Sequence, residues 1–403
     1  MPSSTTTHLA AVSLGKGQPL EVQSRPTPKP GPGELLVLVK SVSLNPADGL
    51  MRDLGLFIAE YPTVIGFDMA GLVLEVGDDV PNDAMPGGIS FRPGITRVAA
   101  HSASYWRSWA PDYGIFQERC LIPWQHATPL PDDSMSWNEA ATLPVATVVA
   151  LNAWGTLGFT VPTSSSASAS QSVSTKSTGP TTRGGEDAPM KSQKREALLI
   201  WGASSSVGTM GVQTARLIRE DVSSPVAAVY ATSGPANMRY VESLGADRVF
   251  EYKDPGVVDA IVAAAKDDGL VIRHCFLAMG QLALCEAVLQ AFLVEGAEGA
   301  EGQKQKAKIG SAPPLPADMD VVDGVEAVFL EPSTDEVKGL EQVRYWMGTW
   351  LKESLEKGLV KPSPEPKVVG KGLGAINTGL DMVLQGRGKY FQSSKSRTSM
   401  FYL

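Results

Sequence analysis

The apolar and polar positions divide the chain into a strand-rich first third and a later part in which strands alternate with helices. In the first third, short apolar runs such as Leu35–Val42 lie between Gly, Pro and Asp residues. This pattern predicts a barrel-like β domain, and it indicates that residues 42–53 form a strand end followed by a polar turn. From Ser136 the pattern becomes helical, and Ser136 and Glu139 have the spacing of a capping box.

After residue 196 the alternation becomes regular. Strands are predicted at residues 197–201, 226–231, 248–252, 270–277 and 325–330, and helices at residues 207–218, 237–244, 257–266 and 282–293. Strands that alternate with helices of this length predict a parallel, doubly wound α/β sheet. The C-terminal part is predicted to contain helices at residues 343–359 and 374–384.

Two polar stretches interrupt this organisation. Residues 161–196 are dominated by Ser, Thr, Gly, Pro and charged residues, which predicts a disordered insertion, either a tolerated surface insertion or a regulatory tether. Residues 296–308 are predicted to form a second low-complexity loop. We expect residues 1–150, with a return of residues 335–403, to form one domain, and residues 151–334 to form a second domain.

Composition narrows the class of protein. The 403 residues carry a net charge of −8, which disfavours a nucleic-acid partner. The three cysteines have no metal-ligand spacing and suit a reducing compartment. The apolar stretch Leu143–Phe159 is broken by proline, glycine and polar residues, which favours a buried helix over a membrane span. The N-terminus lacks a basic start and a sustained apolar core, so we expect a soluble, cytoplasmic protein with no membrane partner.

The segment ALLIWGASSSVGTMG, residues 197–211, carries the main candidate chemistry. A strand, a Ser-rich turn after Gly202 and a helix from Val207 form the start of a dinucleotide-binding unit, in which the helix amino end receives a pyrophosphate. Gly202 permits the sharp turn, and Gly208 permits close packing of the helix on the sheet. Because the two glycines are separated by five residues, an ordinary strand and helix joined by a serine turn is the alternative.

The end of the second sheet strand predicts the choice of cofactor. An NAD site places an aspartate or glutamate at this strand end. In this chain the residues at and after the strand end, from Ala231 to Val241, include no acid, and the first one is Glu242. Ser233, Asn237 and Arg239 are able to bind a 2′-phosphate instead, which favours NADPH. The alternative is that these residues form a solvated loop.

Seven segments occur in an order that resembles the medium-chain dehydrogenase/reductase superfamily, in its zinc-independent quinone and enoyl reductase branch. They are PGPGELLVLVKSVSLNPAD, GFDMAGLVLEVG, RVAA, GIFQERCLIP, EAATLPVATVVALNAWGTLG, LLIWGASSSVG and LGADRVFEY. The chain is similar in particular to fungal trans-acting enoyl reductases and toxin-cluster oxidoreductases. The resemblance implies a GroES-like β-rich catalytic domain, a Rossmann-type domain, a cleft that holds NADPH and a homodimer.

The resemblance also assigns residues to the cofactor. The residues at the nicotinamide are Asn45, Ala47, Asp48 and Thr147. Those at the pyrophosphate, including the two glycines of the turn, are Gly202, Ser204, Ser205, Ser206, Val207 and Gly208. Those at the adenosine phosphate are Ser233, Pro235, Ala236, Asn237 and Tyr252. Similar enoyl reductases place a lysine just after the NPxD turn to reach the cofactor. In this chain Arg52 is the nearest cation, which leaves that contact and the substrate class open.

Zinc members of the superfamily carry ligands that this sequence lacks. No cysteine occurs at residues 45–48, 143–151 or 81–111, and no histidine occurs at residues 66–68. We therefore predict a site without zinc. His8 is expected to lie in a flexible N-terminus, and His101, His126 and His274 are expected to be structural or solvated.

Without a Lewis acid, the expected reaction is hydride addition to a polarised C=C bond. The expected substrate is an enoyl or enone group, including a carrier-bound polyketide, or a quinone; a non-catalytic NADPH-binding role is the third alternative. Asp48, Tyr61 and Tyr113 are candidate proton donors, Thr147 is a further catalytic candidate, and Asp48 is equally suited to capping a turn. The aromatic segment Tyr105–Gly114 either lines a substrate pocket or packs on the protein.

Overall fold

The computed structural model describes residues 6–81, 90–131, 133–163, 195–293, 306–316, 322–331, 333–390 and 399–402. The chain divides into two compact units. The first comprises Met1–Ala150, Ser205–Met210 and Glu331–Leu403, and the second comprises Leu151–Ser204 and Gly211–Leu330.

The first unit is rich in β-structure. Its strands in the N-terminal part are β1 (Thr7–Ser13), β2 (Glu21–Pro26), β3 (Glu34–Leu44), β4 (Thr63–Val64), β5 (Asp68–Val76), β6 (Arg97–His101), β7 (Arg119–Pro123) and β8 (Ala127–Pro129). Within the described residues, one sheet has the order β2-β1-β4, and a larger sheet runs β3-β5-β6-β8, with β7 paired to β3. These pairs are antiparallel, so the expected β-rich domain is confirmed.

Among the described residues, three α-helices belong wholly or partly to the N-terminal part of this unit, and the third passes into the second unit at Leu151. Helix α1 (Pro46–Leu54) follows β3 directly, so the prediction of a polar turn at this place was wrong. Helix α2 (Trp137–Ala141) begins at the predicted capping box, in which Ser136 Oγ accepts from the Glu139 N–H at 3.2 Å. Helix α3 (Pro144–Leu157) follows after a short break. The stretch Trp137–Leu157 is apolar and long enough to span a membrane, but 72% of its window is buried inside the protein.

The second unit alternates strands and helices. Its elements are β9 (Glu196–Trp201), α4 (Ser206–Glu220), β10 (Val226–Ser233), α5 (Met238–Ser243), β11 (Arg248–Glu251), α6 (Val257–Asp267), β12 (Val271–Leu277), α7 (Leu282–Gln290), β13 (Ala307–Ser311) and β14 (Val325–Phe329). Of α4, the residues up to Met210 belong to the first unit. Its six described strands form one parallel sheet in the order β11-β10-β9-β12-β13-β14. This is the strand order of a Rossmann-type fold, which confirms the predicted class.

One strand of this sheet was missed. Strand β13 lies inside the sheet between β12 and β14, whereas its first residues were assigned to the low-complexity loop 296–308. Of that loop, residues 296–305 lie outside the described residues. Of the predicted insertion 161–196, residues 164–194 also lie outside them, and Glu196 belongs to β9.

The C-terminal part returns to the first unit. Helix α8 (Glu336–Val343) continues through a π-helical segment, Arg344–Leu351, into α9 (Lys352–Glu356), so the helix predicted at residues 343–359 starts seven residues earlier. Strand β15 (Lys367–Lys371), helix α10 (Ile376–Tyr390) and strand β16 (Ser399–Tyr402) follow. Strand β16 pairs with β3 and extends the larger sheet of the first unit.

Each unit has its own apolar core. The first core contains the inward residues of β1, β3 and β5 with Leu373, Ile376 and Leu380 from the C-terminal part. The second lies on the Rossmann-type sheet and includes Trp201, Tyr230 and Leu277. All three cysteines are buried and reduced.

Candidate functional site

The predicted glycine turn joins β9 to α4. Gly202 adopts a left-handed backbone with φ of +79°, and a Cβ at this position would lie 2.3 Å from the Met279 carbonyl oxygen. Its N–H donates to Thr232 Oγ1 at 3.0 Å, and the Ala203 N–H donates to the Thr232 carbonyl at 2.9 Å. The turn therefore requires glycine and is tied to the neighbouring strand β10.

Serine caps the helix that follows. Ser205 Oγ accepts from the Gly208 N–H at 3.1 Å, which places Ser205 at the N-cap and Ser206 and Val207 in the first turn. First-turn amides have no intrahelical acceptor, and they lie at the positive end of the helix dipole. The close approach of helix and sheet occurs at Gly211, whose added Cβ would lie 2.7 Å from the Phe276 ring.

The predicted adenosine-phosphate residues lie together at the end of β10. Ser233 is buried, and its hydroxyl donates to the Gly234 carbonyl at 3.2 Å, while its own carbonyl accepts from the Tyr252 N–H at 3.3 Å. Pro235–Asn237 form a short helical turn in which Pro235 and Ala236 are exposed. Arg239 is exposed, and within the described residues it makes no ion pair. Glu251 is the parallel register partner of Ser233 and is the last residue of the neighbouring strand β11.

The Asn45–Asp48 segment is the amino end of α1. Asn45 is the N-cap, and the Asp48 carboxylate accepts from the Asn45 N–H at 2.7 Å. Asp48 is fully buried, and its Oδ1 has no hydrogen-bond partner in the described part of the chain. Burial, together with the nearby charge of Asp68, raises the pKa of Asp48 well above its usual range. Ala47 is half-buried in the same turn.

Thr147 lies in the first turns of α3. Its N–H bonds to the Leu143 carbonyl at 2.9 Å, and its side chain is fully buried. Its hydroxyl has no hydrogen-bond partner among the residues that the structure describes. An unpaired buried hydroxyl is costly, so Thr147 Oγ1 is a candidate ligand contact.

Arg52 does not take the place of the missing lysine. Its guanidinium forms ion pairs with Asp53 and Asp381, each at 2.6 Å, and donates to the Asn377 carbonyl at 3.1 Å. These contacts stabilise the packing of α1 on α10. The positive charge of Arg52 is therefore neutralised by two carboxylates of the first unit.

The other two proton-donor candidates differ in their surroundings. Tyr113 donates to Glu34 Oε1 at 2.6 Å, and burial with this bond raises its pKa to about 12. The Tyr61 hydroxyl is buried and has no hydrogen-bond partner within the described ranges. Tyr113 is thus committed to a structural contact.

The aromatic segment packs within the first unit. Trp109 is 5% exposed and belongs to the core of this unit. Trp106 Nε1 donates to the Ser333 carbonyl at 2.8 Å, and Arg107 forms an ion pair with Glu336. These contacts support the packing alternative for Trp106 and Trp109.

The histidines have protein partners. His8 lies in β1, is 4% exposed, and bonds through Nε2 to Gln117 at 2.9 Å, so its assignment to a floppy terminus was wrong. The rings of His101 and His126 stack with centroids 6.0 Å apart, and His126 Nδ1 donates to the His101 carbonyl at 3.2 Å. His274 bonds to Glu196 at 3.2 Å.

We predict that this histidine pair makes stability pH-dependent. Burial lowers the pKa of His126 to about 4 and that of His101 to about 3. An unfolded histidine binds its proton near pH 6.5, so the stabilisation is fully present above that pH and is lost as pH falls toward the folded values. Urea unfolding at pH 7.5 and pH 5 should show this loss, and His126→Phe should reduce the slope.

The buried aspartates act in the opposite direction. Raised folded-state pKa values, about 7 for Asp68, mean that their stabilisation is present at low pH and is lost as pH rises through that range. The quantity to compare is therefore the change of the unfolding free energy with pH in His126→Phe and in the parent protein. An unchanged slope in the variant would contradict the assignment to His126.

Within the described ranges, no three His, Cys, Asp or Glu side chains converge on a point where a metal ion could bind. Phe67 occupies the position at which zinc members of the superfamily carry histidine, and its ring stacks on His101 with centroids 5.8 Å apart. Independence from zinc remains a prediction from the sequence.

Comparison with known proteins assigns the family. Residues 31–132 match the alcohol dehydrogenase GroES-like domain. The chain is 35% identical over 382 residues to the trans-enoyl reductase tndF of Aspergillus flavipes, covering 94% of this chain and 96% of that protein. It is 36% identical over 336 residues to the trans-enoyl reductase tazE of Aspergillus terreus, covering 83% and 95% respectively.

The fold has relatives among solved structures. An alcohol dehydrogenase superfamily protein from Novosphingobium aromaticivorans superposes with a TM-score of 0.69 at 17% identity, covering 98% of this chain and 99% of that chain. The chain belongs to the medium-chain dehydrogenase/reductase family. Within that family its similarity places it beside the fungal trans-enoyl reductases.

Sequence reasoning assigned no role to Asp68. This residue opens β5, is 2% exposed and lies within hydrogen-bond distance of Asn45 and of the α3 backbone. The available signal was an acid placed between Phe67 and an apolar run. A charged residue at the start of a buried strand requires a polar partner.

Proposed function

We propose that the protein is an NADPH-dependent reductase that adds hydride to the β-carbon of an α,β-unsaturated thioester or ketone. The observation that carries this proposal is the similarity, over nearly the whole chain, to proteins named trans-enoyl reductases. Their sources and names support a role in fungal polyketide or other secondary metabolism, with a small-molecule or carrier-bound substrate. The family resemblance further supports a homodimer, and the buried reduced cysteines fit a cytoplasmic location.

The residues present fit a nicotinamide dinucleotide. A glycine turn that has no room for a Cβ leads to the amino end of α4, as a pyrophosphate requires. In the first unit, Asp48 Oδ1 and Thr147 Oγ1 are buried without partners among the described residues. Such orphaned polar atoms suit a bound polar group.

We assign the chemistry as follows. When bound, NADPH supplies a hydride from its nicotinamide ring. The amides of Ser206 and Val207 bind the pyrophosphate, and Thr147 contacts the nicotinamide. Burial favours the neutral form of Asp48 by raising its pKa, and Oδ2 already accepts from Asn45, so Oδ1 is the oxygen to which we assign the proton. This makes Asp48 the preferred candidate for protonating the substrate enolate.

Turnover measurements test the proposal. Oxidation of NADPH, followed by loss of its absorbance, should occur with enoyl thioesters and should be slower with simple quinones. Faster turnover of quinones would favour quinone reduction instead. Binding of NADPH without turnover of any thioester, enone or quinone would favour a non-catalytic role and overturn the proposal.

We predict that Arg239→Ala weakens NADPH binding about 10- to 100-fold, because it removes a charge-assisted bond to the 2′-phosphate. NADH affinity should not change. Nicotinamide fluorescence titrations with both cofactors measure the difference. Arg216→Ala is the matched control, because Arg216 is already paired with Glu220 at 3.0 Å.

Preference of the parent protein for NADH would contradict this assignment. In that case Glu251, which pairs with Ser233 in the register of β10 and β11, becomes the candidate ribose ligand. Glu251→Gln then weakens NADH binding, whereas it leaves NADH binding unchanged if Arg239 sets the preference.

A further inference from the structure

One buried carboxylate joins two segments that are a hundred residues apart in sequence. Asp68 Oδ2 accepts from Asn45 Nδ2 at 3.0 Å, and Asp68 Oδ1 accepts from the Val145 N–H at 2.7 Å. Asp68 is 2% exposed, and all three residues belong to the first unit. Each of its oxygens is thus committed to a different helix end.

The two segments are helix amino ends. Asn45 is the N-cap of α1, and Val145 is the second residue of α3. The amide of Val145 has no intrahelical acceptor, so the carboxylate satisfies a donor that would otherwise be buried and unpaired. A negative charge at a helix amino end is also favourable. Asp68 therefore stabilises both ends without making a contact with solvent.

The same two helix ends carry two polar atoms to which the proposed function gives a role, one as the proton donor and one as the nicotinamide contact. Asp48 lies three residues after Asn45, and Thr147 lies two residues after Val145. Both are fully buried, and Asp48 Oδ1 and Thr147 Oγ1 lack partners within the described ranges. Any shift of either helix end displaces one of these atoms relative to the other.

We propose that Asp68 is a positioning residue, which holds the amino ends of α1 and α3 in the relative geometry that orients the nicotinamide for hydride transfer. The inference rests on the proposed function, because that function assigns Thr147 to the nicotinamide and Asp48 to protonation of the substrate. Asp68 acts through Asn45 and the α3 backbone and makes no contact of its own with a substrate. Small errors in the placement of reacting atoms have large kinetic effects.

Asp68→Asn tests the proposal. The variant amide is able to accept from Val145, but its NH₂ group faces the Asn45 NH₂ group, so one contact becomes a donor pair. We expect kcat to fall about 10- to 100-fold, while KM and the NADPH dissociation constant change by less than about threefold. The fluorescence anisotropy of bound NADPH should also fall, because the nicotinamide becomes more mobile.

A reciprocal exchange provides the rescue. In Asn45→Asp/Asp68→Asn, the amide at position 68 donates to the carboxylate at position 45 and still accepts from Val145. We expect both kcat and anisotropy to return to within about fivefold of the parent values if geometry is what Asp68 supplies. Asp112→Asn is the control, because Asp112 is a partly exposed partner of Arg25 in the same unit. This control should leave both readouts unchanged.

The outcomes separate the two proposals. If the parent binds NADPH but reduces no enoyl substrate, the proposed function fails, and the anisotropy of Asp68→Asn still tests the positioning role. Unchanged kcat and anisotropy in Asp68→Asn would overturn that role. A loss of kcat and of anisotropy in both Asp68→Asn and the reciprocal exchange would also overturn the positioning role. If Asp68→Asn does not fold, Asp68→Glu replaces it, because the longer side chain keeps the charge and displaces the carboxylate. Unchanged anisotropy of bound NADPH in Asp68→Glu would also overturn the positioning role.

Discussion

Replacing Gly202 by alanine is expected to lower the free energy of unfolding by about 3 kcal/mol and to weaken NADPH binding by at least about 100-fold. The left-handed backbone, with φ of +79°, costs about 1–2 kcal/mol for a residue with a Cβ. The Cβ would also lie 2.3 Å from the Met279 carbonyl oxygen, which forces one of the two backbones to move. Such a shift displaces the turn that leads into the amino end of α4, where we propose that the pyrophosphate binds.

Gly269 provides the matched control for this prediction. It belongs to the same unit and has a similar φ of +69°, but a Cβ there would meet no atom within 4 Å. Gly269→Ala should therefore cost only about 1 kcal/mol and leave NADPH binding unchanged. Urea unfolding followed by circular dichroism and fluorescence titration with NADPH measure the two effects. Equal losses in both variants would show that backbone strain alone, without the contact to Met279, explains the result.

The Rossmann-type unit was largely predictable because its central strands β9 and β10 are almost entirely buried. Every residue of β9 is buried, so the strand is a continuous apolar run that the sequence shows directly. Strand β13 was missed because only five residues form it, and two of these are Lys308 and Gly310. It is a strand because parallel neighbours pair with it on both sides, which is a tertiary effect.

The segment after β3 shows how one set of residues gives two predictions. Pro46, Asp48 and Gly49 are all frequent in turns, and this favoured a turn. Proline at the first helical position and an acid at the third are equally the start of a helix. The structure resolves the choice, because Arg52 bonds to α10 and Met51 is buried in the core, so the helix is stabilised by distant residues.

The candidate site was predictable only in part for the same reason. Gly202 and its serine cap are local features, and their spacing is visible in the sequence. The link from Asp68 to Asn45 and Val145 depends on three segments meeting in space. No periodicity relates residues 45, 68 and 145, so the identity of these residues alone does not reveal the contact.

Replacing Trp154 by alanine is expected to lower the free energy of unfolding by about 3–5 kcal/mol, because it empties a fully buried site. In the second unit the indole contacts the Phe276 ring edge-on, with centroids 5.7 Å apart. Its Nε1 donates to Thr214 Oγ1 at 2.6 Å on α4, so the side chain ties this helix to the sheet. Denaturant unfolding followed by circular dichroism measures the loss.

The variant Trp154→Phe separates packing from hydrogen bonding. Phenylalanine keeps most of the ring volume but lacks the N–H donor, so its cost should be about 1–2 kcal/mol. Thr214 loses less than a fully orphaned group, because its hydroxyl also donates to the Gly211 carbonyl at 3.1 Å. A cost for Trp154→Phe equal to that of Trp154→Ala would place the stabilisation in the hydrogen bond and contradict the packing argument. If both variants had nearly the same free energy of unfolding as the parent, the packing of α4 on the sheet would not depend on this residue.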